Sequence, residues 1–301
     1  MTTGKYEQQR SEHNGKPVAV AQASSCFCNR DFTVDDLVSF YGKKKLFSAK
    51  NCPLPQEQRN IELLTRKLNY TMNKFGINTC LRKAHFLAQI EAETLFATTE
   101  EYSSGWDYDN STHEDGHKKY VLFKKDPIKY ATYEKYKRNF YRYEECIAHG
   151  HNVKGFGPKY KGRGLIQLTW KDNYEDFFKK LKELGEKEQD ISNPYIVAKE
   201  LHLSCLSAGW YWRNKSALGD LNKFADEDDL IAISAGVNGG SNGFEHRKVN
   251  VKKIIKLMKI RECCNNLSVT SIGTYKFKNS NLYKNPRWRK IYEKKFIKYD
   301  D

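Results

Sequence analysis

The sequence predicts a mainly α-helical protein with one short extended segment. Two observations carry this. Apolar residues recur at helical spacing through most of the chain, and the segments they mark are bounded by capping and stopping residues. Only KGRGLIQLTW, residues 161–170, reads as a turn entering an extended stretch.

Residues 1–25 are polar and rich in Gln and Ser, and read as a flexible leader. Residues 26–55 form a small N-terminal segment suited to docking or targeting. Within it Thr33 is an apt N-cap, with Asp36 three residues on, for a helix that ends near Gly42. Pro53 and Pro55 then punctuate the chain. A long helix is expected over about 56–75, where Ile61, Leu64, Leu68, Met72 and Phe75 recur and Gly76 supplies the stop. Asn78 or Thr79 caps the next, about 80–97. That segment, CLRKAHFLAQIEAETLFA, is apolar on most faces and should be central and buried.

Residues 102–160 are rich in Tyr, Lys, Gly and Asp with weak periodicity, and read as a partly helical surface excursion. Helices are expected again at about 171–184, 194–212 and 226–237. NGGSNG, 238–243, is a turn, and 244–259 a basic helix. From 265 to 301 the chain is a basic aromatic extension, with Tyr275, Phe277, Tyr283, Trp288, Tyr292 and Phe296 among lysines.

With 301 residues, 39% of them hydrophobic, the chain can bury a sizeable core. Mean hydropathy is −0.79, and no apolar run approaches the ~20 residues that cross a bilayer. Membrane insertion is therefore not expected. Residues 1–25 lack an apolar h-region, so an ordinary secretory signal is not expected either.

Fifty-two Lys and Arg against 37 Asp and Glu give a formal charge of +15. Such a field favours polyanions: nucleic acid, anionic lipid or an acidic cell wall. The basic residues are spread along the chain and form no nucleic-acid-binding motif, so nucleic acid is not the expected partner. The 8 cysteines are too sparse for a disulfide scaffold. Cys26, Cys28 and Cys52 offer three zinc ligands, but no fourth sits at zinc-finger spacing, and no metal or other cofactor is expected. Cys80 and Cys205 lie in apolar helical contexts and read as small core residues.

Glycosidic bond cleavage usually needs two carboxyl groups, one protonated to serve the leaving oxygen and one ionised to activate water or attack. The sequence offers Glu91 and Glu93 in the buried helix, then Glu100 and Glu101 just beyond it. Glu93 shares a stripe with Phe86, Ile90 and Ala97, where desolvation would favour the protonated acid. Glu91 shares another with Ala84, Ala88 and Leu95, so spacing alone does not separate the two.

Four blocks in order do more. GINTCLRKAHFLAQIEAETLF with TTEEY, then YKGRGLIQLTWKDNY, then NPYIVAKE with AGWYW, then SAGVNGG together resemble glycoside hydrolase family 19. That family holds plant-type chitinases, bacterial relatives and phage endolysins. The resemblance covers about residues 60–260. It implies a lysozyme-like, two-lobed helical fold with a cleft, and a catalytic domain at 56–264.

It also implies roles. Glu93 is the general acid and Glu101 the general base, about 6.5–9.5 Å apart in an inverting mechanism, with Thr169 helping to hold the water between them. Gln167, Asn173 and Asn238 bond the sugar, as neutral donor–acceptor groups can. Arg163 belongs to the same substrate-binding set, Arg247 corresponds to an arginine that orients the carboxylates, and Tyr160 lines the cleft. The chain departs from the family in three places. Ala92 stands where His usually precedes the acid, Leu95 and Phe96 stand where Gly-Gly usually follows, and the stretch from Glu101 to Gly162 is longer than in small endolysins.

Chitin and peptidoglycan share β-1,4-linked N-acetylglucosamine, but peptidoglycan carries carboxylates and often phosphates. A +15 chain gains more on the charged polymer. The aromatic, basic tail fits wall binding too. The expectation is a monomeric peptidoglycan hydrolase acting at the bacterial wall, reached through a holin or a secretion machine, with delivery machinery or an immunity protein as possible partners. The alternatives are a chitinase and a non-catalytic wall-binding protein.

Overall fold

The computed structural model describes residues 26–28, 30–42, 45–264 and 272–300. The leader at 1–25 lies outside them. Among the described residues helix dominates, and the only extended pairings are two isolated bridges, Glu100 with Arg163 and Arg163 with Leu168. No helix is long and apolar enough to cross a membrane among these residues.

Helix α1 (Val34–Tyr41) starts at Thr33, whose hydroxyl accepts from Asp36 N–H while the Asp36 carboxylate accepts from Thr33 N–H. Helix α2 (Ile61–Lys74) stops before Gly76, which takes the left-handed φ of +64°. Thr79 caps α3 (Cys80–Thr94), which is buried on nearly every face. Helix α3 ends earlier than its apolar run suggests. Leu95 and Phe96, the residues in place of Gly-Gly, both turn left-handed, with φ of +52° and +50°. Such a backbone costs a residue with a Cβ roughly 1–2 kcal/mol. Phe96 offsets this by burying its ring against Tyr41 and Phe47.

The 102–160 excursion holds more helix than its pattern suggests: α4 (Asn110–Lys125) and α5 (Lys137–Ala148) pack on each other. Rings and small residues make that contact where aliphatic stripes normally would. His117 stacks on Phe140 at 4.9 Å, and a Cβ at Gly116 would lie 2.6 Å from Asn139. Short α6 (Phe156–Lys159) and α7 (Lys171–Glu183) follow. The helix expected at 194–212 is two, α8 (Ile196–Lys199) and α9 (Leu201–Trp210), because Glu200 is extended. That expected at 226–237 is α11 (Leu230–Asn238), preceded by a short α10 (Asn222–Asp226). Then come α12 (Phe244–Leu257), α13 (Ile260–Cys263), α14 (Asn281–Lys284) and α15 (Pro286–Phe296).

The described parts of both flanks pack into the body. Phe32, Leu37, Phe40, Phe47 and Leu54 of the N-terminal segment share one apolar core with Tyr275, Phe277, Leu282 and Phe296 of the tail. Asp228 fastens the tail to α3: it accepts from Tyr275 Oη at 3.0 Å and Gly273 N at 2.6 Å, and contacts His85 Nε2 at 2.7 Å. This corrects the picture of the tail as a sugar-stacking extension for four of its six rings, Tyr283 and Trp288 being half-buried. Tyr275, Phe277, Tyr292 and Phe296 are buried and present no face to a polymer.

Candidate active site

The last turn of α3, the loops around 97–108 and 166–170, the start of α7 and the α11–α12 turn enclose a cleft of about 950 Å³. Glu93, Glu101, Gln167, Thr169, Asn173 and Asn238 all line it. Tyr160, Arg163 and Arg247 do not.

Glu93 sits one residue before the end of α3. From α12 the buried Arg247 donates through Nη2 to Glu93 Oε1 at 2.5 Å, and through Nη1 to Gln89 Oε1, one turn back on α3. Arg247 is therefore a positioning residue behind the acid and not a contact for sugar. Glu91, which spacing could not tell from Glu93, faces elsewhere: it meets Asn250 and His246 of α12, the latter at 3.4 Å. Burial, then the Glu93 charge, pushes the Tyr211 phenol up to about 12, so this cleft residue stays protonated beside the acid.

Glu100 and Glu101 point opposite ways, as neighbours on extended backbone do. Glu100 turns inward onto Arg163 Nε at 2.7 Å. Arg163 is almost wholly buried, spends Nη1 on Lys159 O at 2.7 Å and lies over the Tyr195 ring. It rivets the loop from beneath and touches no substrate. Tyr160 is corrected likewise: its ring is buried against His151, Phe156 and Tyr174.

Glu101 turns into the cleft. Gly162 N donates to its Oε1 at 2.8 Å and Tyr108 Oη to its Oε2 at 3.2 Å. Position 162 must be small, since a Cβ there would lie 3.3 Å from Glu101 Cδ and 3.0 Å from Gln167 Oε1. Burial first, and then the Glu101 charge, pushes the Tyr108 phenol up to about 12. It thus donates to Glu101 across the working pH range. Tyr108→Phe removes one donor, and polymer turnover should fall roughly 3–10-fold, the equivalent of one net hydrogen bond; steady-state rates with parent-like circular dichroism check this.

The 163–168 loop is closed by two reciprocal bonds, Arg163 N to Leu168 O at 3.1 Å and Leu168 N to Arg163 O at 2.7 Å. Gly164 (φ +77°) and Gln167 (φ +56°) supply the reversal. Its cleft-lining amides are half-used. Gln167 Nε2 donates to Gly164 O and Asn173 Nδ2 to Thr169 O, but Gln167 Oε1 and Asn173 Oδ1 are buried acceptors with no partner. Buried acceptors left unpaired are costly, so a ligand hydroxyl or acetamide N–H would be drawn to them. Thr169 donates to Gln167 O at 2.9 Å, which leaves its lone pairs for a water. Asn238 holds the α11–α12 turn, donating to Asn242 O and accepting from Gly240 N.

Several cleft residues escaped the sequence reading. Trp170 lines the cleft with φ +81°, a conformation a bulky residue adopts only under constraint. His149 stacks on its ring at 4.7 Å. Tyr102, 74% exposed, and Tyr108 add two more rings. No periodic signal marks any of them.

Behind them lies His151, fully buried. Its Nε2 accepts from Lys171 N at 3.0 Å, so Nδ1 carries the proton to Tyr108 O at 2.6 Å. One neutral ring thus ties the Glu101 partner to the start of α7. Burial holds its pKa below the ordinary value of 6.5. The unfolded chain then binds more protons, and folding stability falls as pH drops from about 6.5 toward the lowered value. Thermal melts from pH 7.5 to 5 should show this loss, and His151→Gln should flatten that limb.

A helical protein whose cleft brings together two carboxylates, unpaired amide oxygens and aromatic rings has the equipment of a glycoside hydrolase. A Haemophilus influenzae protein described as glycosyl hydrolase family 19 domain-containing is 38% identical over 105 residues. That alignment covers 35% of this chain and 46% of the relative, so the chain spans less than half of the relative's length. Over those 105 residues the chain is similar to a protein that carries a family 19 domain. No family model matches it.

Similar solved structures include chitinase C from Streptomyces griseus HUT6037, with a TM-score of 0.45 and 14% identity over 75% of this chain and 76% of that one. A class IV family 19 chitinase from Zea mays gives 0.44 and 14% over 74% and 90%. Similarity at that level carries no residue correspondence.

Proposed function

We propose that the protein hydrolyses β-1,4 glycosidic bonds in a polymer of N-acetylated amino sugars, and that peptidoglycan is preferred to chitin. The observation that carries the reaction class is the placing of Glu93 and Glu101 in one cleft, where the amides of Gln167, Asn173 and Asn238 and the hydroxyls of Thr169 and Tyr108 also line the wall. Glu93, held by Arg247, delivers its proton to the leaving oxygen. Glu101, held by Gly162 and Tyr108, takes a proton from a water that Thr169 helps to orient, and that water attacks the anomeric carbon with inversion. Gln167 Oε1 and Asn173 Oδ1 receive sugar donors. Tyr102 and Trp170 offer ring faces.

The preference for peptidoglycan rests on charge. The chain carries +15. Action at a bacterial wall follows from that substrate. Mass spectrometry of products from whole peptidoglycan and from chitin oligomers decides the matter. Muropeptides with a newly freed reducing end support the proposal, and chitin fragments alone would replace the substrate with chitin. Tight binding to insoluble wall with no released reducing sugar would make the protein a non-catalytic binder.

A further inference from the structure

The sequence places no fourth ligand beside Cys26, Cys28 and Cys52, and the fold explains why that grouping fails. Cys52 lies apart, its Sγ 3.9 Å from Thr99 Oγ1. The missing thiols come from distant positions. Cys80, the first residue of α3, and Cys264, just past α13, meet Cys26 and Cys28. Cys80 is thus more than the small core residue its context suggested.

From the meeting of these thiols we propose a structural zinc site whose ligands are Cys26, Cys28, Cys80 and Cys264. Their Sγ atoms stand 3.4 Å (26–80), 3.7 Å (26–264), 3.2 Å (28–80) and 3.9 Å (28–264) apart. Four sulfurs about 2.3 Å from a tetrahedral zinc lie about 3.8 Å from one another. The observed spacings bracket that value and are far too long for disulfides; all eight cysteines are free.

Three further features fit a thiolate cluster. Cys28 N–H points to Cys26 Sγ at 3.5 Å and Cys80 N–H to Cys28 Sγ at 3.3 Å, the outer bonds that steady ligating sulfurs. Cys80 opens a long helix, where the dipole favours an anion. Lys83 is buried with its ammonium on the carbonyls of Phe27 and Arg30. Zinc with four thiolates carries a net charge of −2, and a buried cation beside it balances part of that charge.

Cys263 also approaches and rivals Cys28 as a ligand: its Sγ lies 3.5 Å from that of Cys264 and within 4.8 Å of those of Cys26 and Cys80. Its sulfur faces Met258 O at 3.7 Å, a contact that uses the S–H proton a zinc ligand would have lost. It remains a thiol. Binding replaces four S–H protons by one Zn²⁺, and the protons leave to solvent.

The site clamps the N-terminal segment to the start of the helix that carries Glu93 and to the end of α13, the short helix that follows the one carrying Arg247. The site does not touch the cleft and stands whether or not the proposed reaction does.

Elemental analysis of the full chain, purified reduced and then offered zinc, should give one zinc per molecule. Cobalt in its place should give the intense visible bands of a tetrahedral four-thiolate site. Cys263→Ser and Cys52→Ser should keep the metal and the cobalt spectrum. Cys28→Ser and Cys264→Ser should lose metal to a competing chelator at least tenfold more readily. Chelation of wild-type zinc should lower the thermal midpoint. Should the ligand variants fail to fold, the wild-type cobalt spectrum still decides. Substoichiometric zinc after reconstitution, a spectrum with fewer than four thiolates, bound iron instead of zinc, or disulfides among these cysteines would overturn the proposal.

Discussion

Glu93→Gln should slow polymer cleavage by about 10²–10⁴-fold, the usual contribution of a positioned general acid. Gln matches Glu in shape, and its amide oxygen still accepts from Arg247 Nη2, so the end of α3 keeps its form. It has no proton of suitable acidity for the leaving oxygen, and the barrier rises by about 3–5 kcal/mol. Loss of the charge partner of Arg247 costs roughly 1–3 kcal/mol of stability, so rates are compared at a temperature where both proteins are folded. Glu91→Gln is the control. That carboxyl meets Asn250 and His246 and does not itself line the cleft, and its replacement should leave the rate within a few-fold of the parent. Equal rates for Glu93→Gln and the parent would remove Glu93 from the chemistry.

Gly164→Ala should destabilise the protein by roughly 2–5 kcal/mol. Two costs add. The backbone at 164 has φ +77°, worth roughly 1–2 kcal/mol for a residue with a Cβ. The new Cβ would lie 2.4 Å from Ser207 Oγ and 3.2 Å from Ser204 O, overpacking worth another ~1–3 kcal/mol. Ser207 Oγ donates to Ser204 O inside α9 and is fully buried, so it has little room to yield. Denaturant unfolding measures the loss. Gly164→Ala with Ser207→Ala should recover part of it, because the oxygen met by the new methyl is then gone. No recovery would place the whole cost in the backbone.

Much of this was legible in the sequence, and for stated reasons. Capping signals fixed α1 and α2 because Thr33, Asp36 and Gly76 act on their own neighbours. The order of four blocks brought Glu93, Glu101, Gln167, Thr169, Asn173 and Asn238 to one cleft. What escaped depends on partners distant in sequence. Arg163 and Tyr160 sit in the same block as Gln167, but whether a side chain faces in or out there is decided by the Arg163–Leu168 closure and by Glu100, which no spacing reveals. The α4–α5 pair went unseen because it packs through rings and a glycine instead of an aliphatic stripe. The early end of α3 turns on Leu95 and Phe96 adopting a backbone that their own side chains disfavour. The thiol cluster needs residues 26 and 264 side by side, a contact that spans most of the chain.

The sharing of one core by residues 26–54 and 272–300 bears on modularity. The stretch that resembles family 19 is not a cassette that could be lifted out or exchanged with a relative's. Both flanks press on α3, through Lys83 at one end and through His85, Asp228 and Tyr275 at the other. A change in either flank is therefore felt first at α3, the helix that both of them enclose.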